Sequence, residues 1–478
     1  MQTEYDHDSK KEAELKILYE EFKKSPESFN AISYTEDSDF LRPFGIVIPN
    51  KKGSPSVFLK LYASDFIVEE IAPDGTIYTI DESTQLSLPS TPEKYTFFAT
   101  LVKCNISTLE AMRELSQQLG CNIRDIHYAG LKDKNAITSQ RISIHNVSAD
   151  QLKKISSPYL FLKDIKIDKG SIEKSKLSGN RFTILLRTND TIDEPRLKAK
   201  ITDITSNGFF NFYYLQRFGT PRLISHLLGI DILRGNYEKV IKDYFTLGSA
   251  YEIKFFTNLR IKMAGVWPDI KKIHNMVSPF PLIMHHENVI AEYLLKNPQD
   301  YAGALKQIPD QTLIWVYALA SVLFNESLSS FVTSNTKPPT ELPLLISNDS
   351  RDIQFYEKML RSIDYYPPQF KNLLPFPNIR REHRTVNTKE ELAFDSFKII
   401  PEGIVIRFSL KKGSYATTAL AHLFDLLSGP PHKDLSNNRV DTIQAISSVS
   451  TEKILNKFKE VDHPRSLTPF EGLKQTLQ

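Results

Sequence analysis

Cysteine is nearly absent from this chain, with only Cys104 and Cys121 among 478 residues. They form no CxxC pair and share no ligand spacing with a histidine. A zinc site and a disulfide framework are therefore not expected, and the two read as thiols of a reducing compartment. Long apolar runs are missing as well. The longest, Leu313 to Phe324, is about 12 residues, where a bilayer needs about 20, so no membrane span is expected. An excess of one charge is also absent. The 60 Lys and Arg against 57 Asp and Glu leave +3, which does not decide for or against nucleic acid, because a binder needs only a local basic face. No G-x-G-x-x-G or P-loop sequence offers a phosphate cradle. The charged, polar N-terminus is not expected to be a secretory signal. What remains, 41% apolar and 24% charged residues, is an ordinary globular composition. The length exceeds one hydrophobic core and predicts two or three domains.

The stretch with most chemistry in it is Ala129-Gly130-Leu131-Lys132-Asp133-Lys134-Asn135-Ala136-Ile137-Thr138-Ser139-Gln140. Ile126-His127-Tyr128 reads as a short strand before it, and the alternation through Ser139–Ile144 as a half-buried strand after it. Asp133 is thus expected on a Gly-punctuated loop between strands, the kind of place where catalytic groups concentrate. Lysines on either side favour the ionised carboxylate that a nucleophile or base requires. The same composition also describes a plain solvated turn.

Along the rest of the chain, a charged helical pattern through Leu15, Leu18, Tyr19 and Phe22 marks an accessory helix or arm. A Ser/Pro/Lys-rich stretch leads from it into Val57–Glu70, read as strand, turn, strand. Tyr95–Val102 is a further strand. Ser107-Thr108 offers a cap to a helix carrying Leu109, Met112, Leu115 and Leu119, which Gly120 ends. Residues 151–177 are lysine-rich, with acids interleaved, and suit either a solvated face or a phosphate-tracking one. Leu177–Arg187 opens a buried strand. Five aromatics lie between Gly208 and Tyr214. They suit a core, or an aromatic that stacks on an extruded base. Arg222 with His226 could meet phosphate or merely orient a helix. Residues 240–385 turn helical, and Arg380, Arg381, His383 and Arg384 form a basic cluster there. Ile399–Ile400 and Ile404–Leu410 return to strand patterns, and Ser414 is placed to cap the following helix.

Gly130-Leu131-Lys132-Asp133-x-x-Ala136-x-Thr138-x-Gln140 resembles the active-site motif of the TruD-type pseudouridine synthases. Lys60, Asp65, Phe66, Val68 and Glu70 resemble that family's first motif, and Gly179-Asn180-x-Phe182 through Arg187 a further segment. Asn211-Phe212-Tyr213-x-x-Gln216-Arg217-Phe218-Gly219 matches another, departing at Tyr214 where the family has glycine. Ala318–Asn325 matches in part, and Gly413-Ser414-Tyr415-Ala416-Thr417 resembles the C-terminal motif. The matches run in order across roughly residues 45 to 428.

The resemblance implies an α+β fold: a pseudouridine synthase catalytic domain with a mixed, largely antiparallel sheet, interrupted by a mostly helical inserted domain. The expected boundaries are an N-terminal extension and linker (1–56), the first part of the catalytic domain (57–239), the insertion (240–385), the last part of the catalytic domain (386–430) and a tail outside the fold (431–478). The implied activity is conversion of uridine to pseudouridine in tRNA, at position thirteen of the D-arm, with other RNAs as further substrates in some relatives. Asp133 is the implied catalytic carboxylate. Tyr213 is the candidate to stack on the flipped base, Asn211 its polar partner, and Phe66 a neighbour. Lys60, Lys132, Lys134 and Arg217 are candidates to hold Asp133 ionised or to bind phosphate, with Arg217 favoured as the carboxylate's partner. Isomerisation involves no redox change, so no cofactor and no metal are expected. A cytoplasmic monomer acting on tRNA is the implied setting. Two alternatives stand beside it: a catalytically silent tRNA-binding protein or RNA chaperone on the same scaffold, and an N-glycoside hydrolase with Glu70 as its second carboxylate.

Overall fold

Side chains along Tyr95–Cys104 alternate between two apolar environments. Phe97, Ala99 and Leu101 share a core with Met112 and Leu115, while Val102 and Cys104 face another with Ile67 and Ile137. A strand with both faces buried belongs in the middle of a layered sheet. The computed structural model describes residues 2–81, 95–346, 349–362 and 371–465. In it the chain forms two compact units, one from residues 53–209 and 390–465, the other from 2–52 and 210–389 among those described.

The first unit is built on a mixed sheet. Its strands are β1 (Ser56–Leu59), β2 (Phe66–Ile71), β3 (Tyr95–Cys104), β4 (Ile126–Tyr128), β5 (Ile137–Val147), β6 (Leu160–Ile167), β7 (Gly179–Arg187), β8 (Leu392–Ile400), β9 (Gly403–Lys411) and β10 (Asp425–Ser428). Neighbours run in the order β10-β1-β7-β2-β5-β3-β6, with β9 also on β7, β8 on β9 and β4 on β5. Only β10–β1 and β2–β5 are parallel among these pairs. The α+β class and the largely antiparallel sheet are as expected. The helix Thr108–Leu119 starts at the expected Ser107 cap, which Glu110 makes reciprocal: Glu110 N–H donates to Ser107 Oγ at 3.2 Å and Ser107 N–H to Glu110 Oε2 at 2.8 Å. Those bonds, with help from Lys134, hold the Glu110 carboxyl down at about 2.

The segment after residue 431 was expected to lie outside the fold, but residues 432–465 are part of this unit. Ile443, Ile454, Leu455 and Phe458 share a core with Ile67, Val102 and Ile137. Ser436 and Asn438 carbonyls accept from Arg187 at 2.7 and 3.0 Å. That guanidinium also grips Asp65 through two bonds of 2.7 Å, and both side chains are fully buried. A polar tail sequence hides this role because its few core residues are scattered among polar ones and its other contribution lies in backbone carbonyls. Residues 466–478 lie outside the described part of the chain.

The second unit is mostly helical. The N-terminal helix Gln2–Lys24 belongs to it: Leu18 and Phe29 are buried with Leu228, Phe245 and Trp315. Glu14 accepts from the Leu282 and Ile283 amides at 2.7 and 3.3 Å. The helix Pro309–Thr333 is long and apolar enough to cross a membrane by length and composition, yet 72% of its apolar window is buried. Gly229 on the helix Ser225–Arg234 allows the close crossing, since a Cβ there would lie 2.2 Å from the Trp315 carbonyl oxygen. The boundary between the units falls at residue 210, where 240 was expected. Phe212 and Phe218 are buried within the helical unit, Phe218 stacked on Phe44.

Replacing Arg187 by alanine would strand the Asp65 carboxylate in the core. The expected loss is about 3–5 kcal/mol, read as a lower urea midpoint.

Candidate active site

The loop between β4 and β5 is tied down at successive residues. Gln140 Nε2 donates to the Gly130 carbonyl at 3.0 Å. The Lys132 amide donates to Thr108 Oγ1 at 2.9 Å. Lys103 Nζ donates to the Asp133 carbonyl at 2.6 Å, and the Ala136 amide to the Lys134 carbonyl at 3.0 Å. With the main chain held, the Asp133 side chain stands 45% exposed. This is a placed functional group on a rigid support, which a plain solvated turn does not need.

Its partner is Lys60, whose Nζ lies 2.8 Å from Asp133 Oδ1. Lys60 has φ +60°, a left-handed conformation uncommon for a non-glycine residue. Its ammonium also sits 3.9 Å from the centroid of the Phe66 ring, close enough for cation–π attraction. Phe66 is buried, edge-on to Phe182. It supports Lys60 from below and has no open face toward solvent.

The other lysines of the motif point elsewhere. Lys132 turns inward to Glu70, 2.7 Å away, both side chains 3% exposed. Among the described residues Glu70 Oε2 has no hydrogen-bond partner, so the contact is an ion pair by distance. Glu70 Oε1 accepts from the Arg141 amide at 3.2 Å. Lys134 reaches Glu110 at 3.2 Å. Arg217, favoured from sequence as the carboxylate's partner, belongs to the helical unit, where its Cζ lies 5.1 Å from the Tyr213 ring centroid. Sequence adjacency does not rank cations, because the backbone conformation at Lys60 and the burial of Glu70 decide which one reaches Asp133.

In the helical unit, Asn325 holds Tyr213 by its backbone. The Tyr213 amide donates to Asn325 Oδ1 and Asn325 Nδ2 donates to the Tyr213 carbonyl, each at 2.9 Å. The half-buried Tyr213 ring meets Phe324 edge-on at 5.4 Å. Asn211 Nδ2 donates to the Asn387 carbonyl at 3.0 Å, and its amide to Thr388. Tyr214, the departure from the family glycine, has φ −91° and ψ 179°, an ordinary conformation for tyrosine. Its hydroxyl donates to Glu36 Oε2 at 2.6 Å, so no strained backbone follows from losing the glycine.

Three further residues have structural explanations. Arg222 donates to the Tyr244 and Leu247 carbonyls. His226 lies edge-on to Phe44 and Phe218, and burial pushes it down to about 4. Ser414 does not cap its helix; its hydroxyl donates to Glu390 at 2.9 Å. Among the described residues no three His, Cys, Asp or Glu side chains stand together as a metal site.

Sequence reading passes over Lys103, and it notes Thr108 only at the helix cap and Asn325 and Gln140 only as motif positions. Lys103 did leave a signal: it continues the row Phe97, Ala99, Leu101, where the strand pattern calls for an apolar residue.

A family model described as tRNA pseudouridine synthase D (TruD) matches residues 52–359. A relative named probable tRNA pseudouridine synthase D 1, from Methanocaldococcus jannaschii, is 27% identical over 391 residues, covering 77% of this chain and 95% of that one. A probable tRNA pseudouridine synthase D from Pyrobaculum islandicum is 35% identical over 272 residues, covering 57% and 62%. A crystal structure of a TruD protein from Methanosarcina mazei superposes with a TM-score of 0.63 at 23% identity, covering 81% of this chain and 98% of that one, which speaks for the fold. With the motif loop, the sheet and the family match agreeing, the chain belongs to the TruD family of tRNA pseudouridine synthases.

Proposed function

We propose that this enzyme isomerises uridine to pseudouridine at position thirteen of the tRNA D-arm, with Asp133 as its catalytic carboxylate. The observation that carries the reading is the half-exposed Asp133 side chain on a pinned loop, 2.8 Å from Lys60. In the reaction the bond from ribose C1′ to uracil N1 breaks and one from C1′ to C5 forms. The C5 proton is lost and N1 gains one. No electrons leave or enter, so the chemistry calls for no redox cofactor. A carboxylate acting as nucleophile or general base toward the nucleoside supplies what the bond exchange needs.

The target uridine must leave its stack, at a few kcal/mol. Tyr213 is the proposed platform for the extruded base, with Asn211 as a polar partner. Lys60 orients Asp133, and Phe66 acts through Lys60. Lys132 and Lys134 shape the loop through their own acidic partners. Arg217 braces the Tyr213 ring. The setting we propose is a cytoplasmic monomer acting on tRNA. A hydrolase would need a second carboxylate free to position water, and Glu70 is buried against Lys132 and the Arg141 amide.

Incubating unmodified tRNA with the protein alone and mapping pseudouridine is expected to show one D-arm uridine converted. Binding without conversion would sink the enzyme reading, and conversion elsewhere would sink the assigned position. Asp133→Asn is expected to lower the single-turnover rate by about 10²- to 10⁴-fold while tRNA affinity stays nearly unchanged. Tyr213→Leu removes the stacking face and is expected to lower kcat/KM by the equivalent of about 1–3 kcal/mol. An unaltered kcat/KM would refute the proposed stacking role of Tyr213.

A further inference from the structure

Lys103 is a fully buried ammonium that the mechanism so far does not use. It lies on β3 opposite Thr138 of β5 and Leu160 of β6. An apolar side chain would fill this position in the strand's pattern without any desolvation cost, whereas a buried ammonium must be compensated. Among the described residues no carboxylate lies within ion-pair distance of it. Its two bonds go to main-chain carbonyls, Ile106 at 2.8 Å and Asp133 at 2.6 Å. The first anchors it to the turn that enters the helix Thr108–Leu119. The second reaches the peptide of the catalytic residue itself.

We propose that Lys103 is a positioning residue for the isomerisation: its protonated amine holds the Asp133 carbonyl and thereby aims the carboxylate, and catalysis falls when that proton is lost. This rests on the reading of Asp133 as the catalytic group. The geometry supports it directly, because rotation of the Asp133 peptide would swing the side chain away from Lys60. The titratable groups acting on Lys103 are Asp133 and Lys132 from the loop, Glu110 from the helix and, on its own strand, Cys104, whose thiol burial keeps neutral. Burial outweighs them and brings Lys103 down to about 8. Below that pH the ammonium is present. Above it the neutral amine makes a weaker bond to the carbonyl and no longer carries charge beside the loop.

The test is single-turnover rate and tRNA affinity from about pH 7 to about pH 9 for the wild type, Lys103→Met and Asp133→Asn. The wild-type rate is expected to fall on the alkaline side with an apparent midpoint near 8. Lys103→Met is expected to lower the rate about ten- to a hundred-fold, as for one charge-assisted hydrogen bond. It should also abolish that alkaline fall and leave tRNA affinity within about twofold, the ratio that separates positioning from binding. A Lys103→Met enzyme with the wild-type rate and profile would overturn the proposal. So would a variant that keeps the alkaline fall, or one whose loss is entirely in folded fraction or tRNA affinity. Should the variant fail to fold, a wild-type rate that stays level to about pH 9 overturns it without any substitution. An active Asp133→Asn would instead refute the assignment of Asp133, so the two failures are distinguishable.

Discussion

A carboxylate does useful chemistry only if something holds it at a defined angle, and here that constraint falls on the main chain of one loop. Gln140, Thr108 and Lys103 each bond a different peptide group between Gly130 and Asp133. These contacts come from the adjoining strand β5, the helix Thr108–Leu119 and the next strand β3. The side chain they leave projecting meets Lys60, which is itself set by a left-handed backbone and the Phe66 ring beneath it. Each support is ordinary, and the combination fixes Asp133 from its peptide outward.

The same economy appears deeper in the sheet. Asp65, a few residues after Lys60, is locked to Arg187 in a fully buried bidentate pair. That pair extends to the carbonyls of Ser436 and Asn438, so residues near the C-terminus help hold the strand start that carries Phe66. Glu70, at the other end of β2, pairs with Lys132 inside the loop. The charged residues of the first motif thus divide their work. Lys60 faces the candidate chemistry, while Asp65 and Glu70 secure the strand and the loop on which it depends. A buried charge with its partner removed is strongly destabilising, which is why such positions admit few replacements.

Much of this was legible in the order of residues. Alternation marked the strands, Ser107 and Gly120 bounded the helix, and the loop around Asp133 was evident from its glycine and polar run. Other features were not. Lys60, Lys132, Lys134 and Arg217 are four cations with similar local surroundings in sequence, and only burial and backbone conformation separate them. Phe66 looked like a candidate neighbour of a base, but it is buried beneath an ammonium. The polar stretch after residue 431 looked detached because its core residues are few and scattered and carbonyl acceptors leave no mark in side-chain composition. The aromatic segment from Asn211 fell to the helical unit since its packing partners, Phe44 and Asn325, are distant along the chain.

By itself the sequence determined the local periodicities, the caps, the order of motifs and the presence of an aspartate on a loop between strands, because these depend on neighbours within a few residues. The tertiary structure alone decided which lysine reaches Asp133, which acids are consumed by buried pairs, and that Lys103 bonds the Asp133 peptide. Those outcomes depend on distances between residues tens to hundreds of positions apart, and on how much water each charge retains, and neither quantity is written in local order.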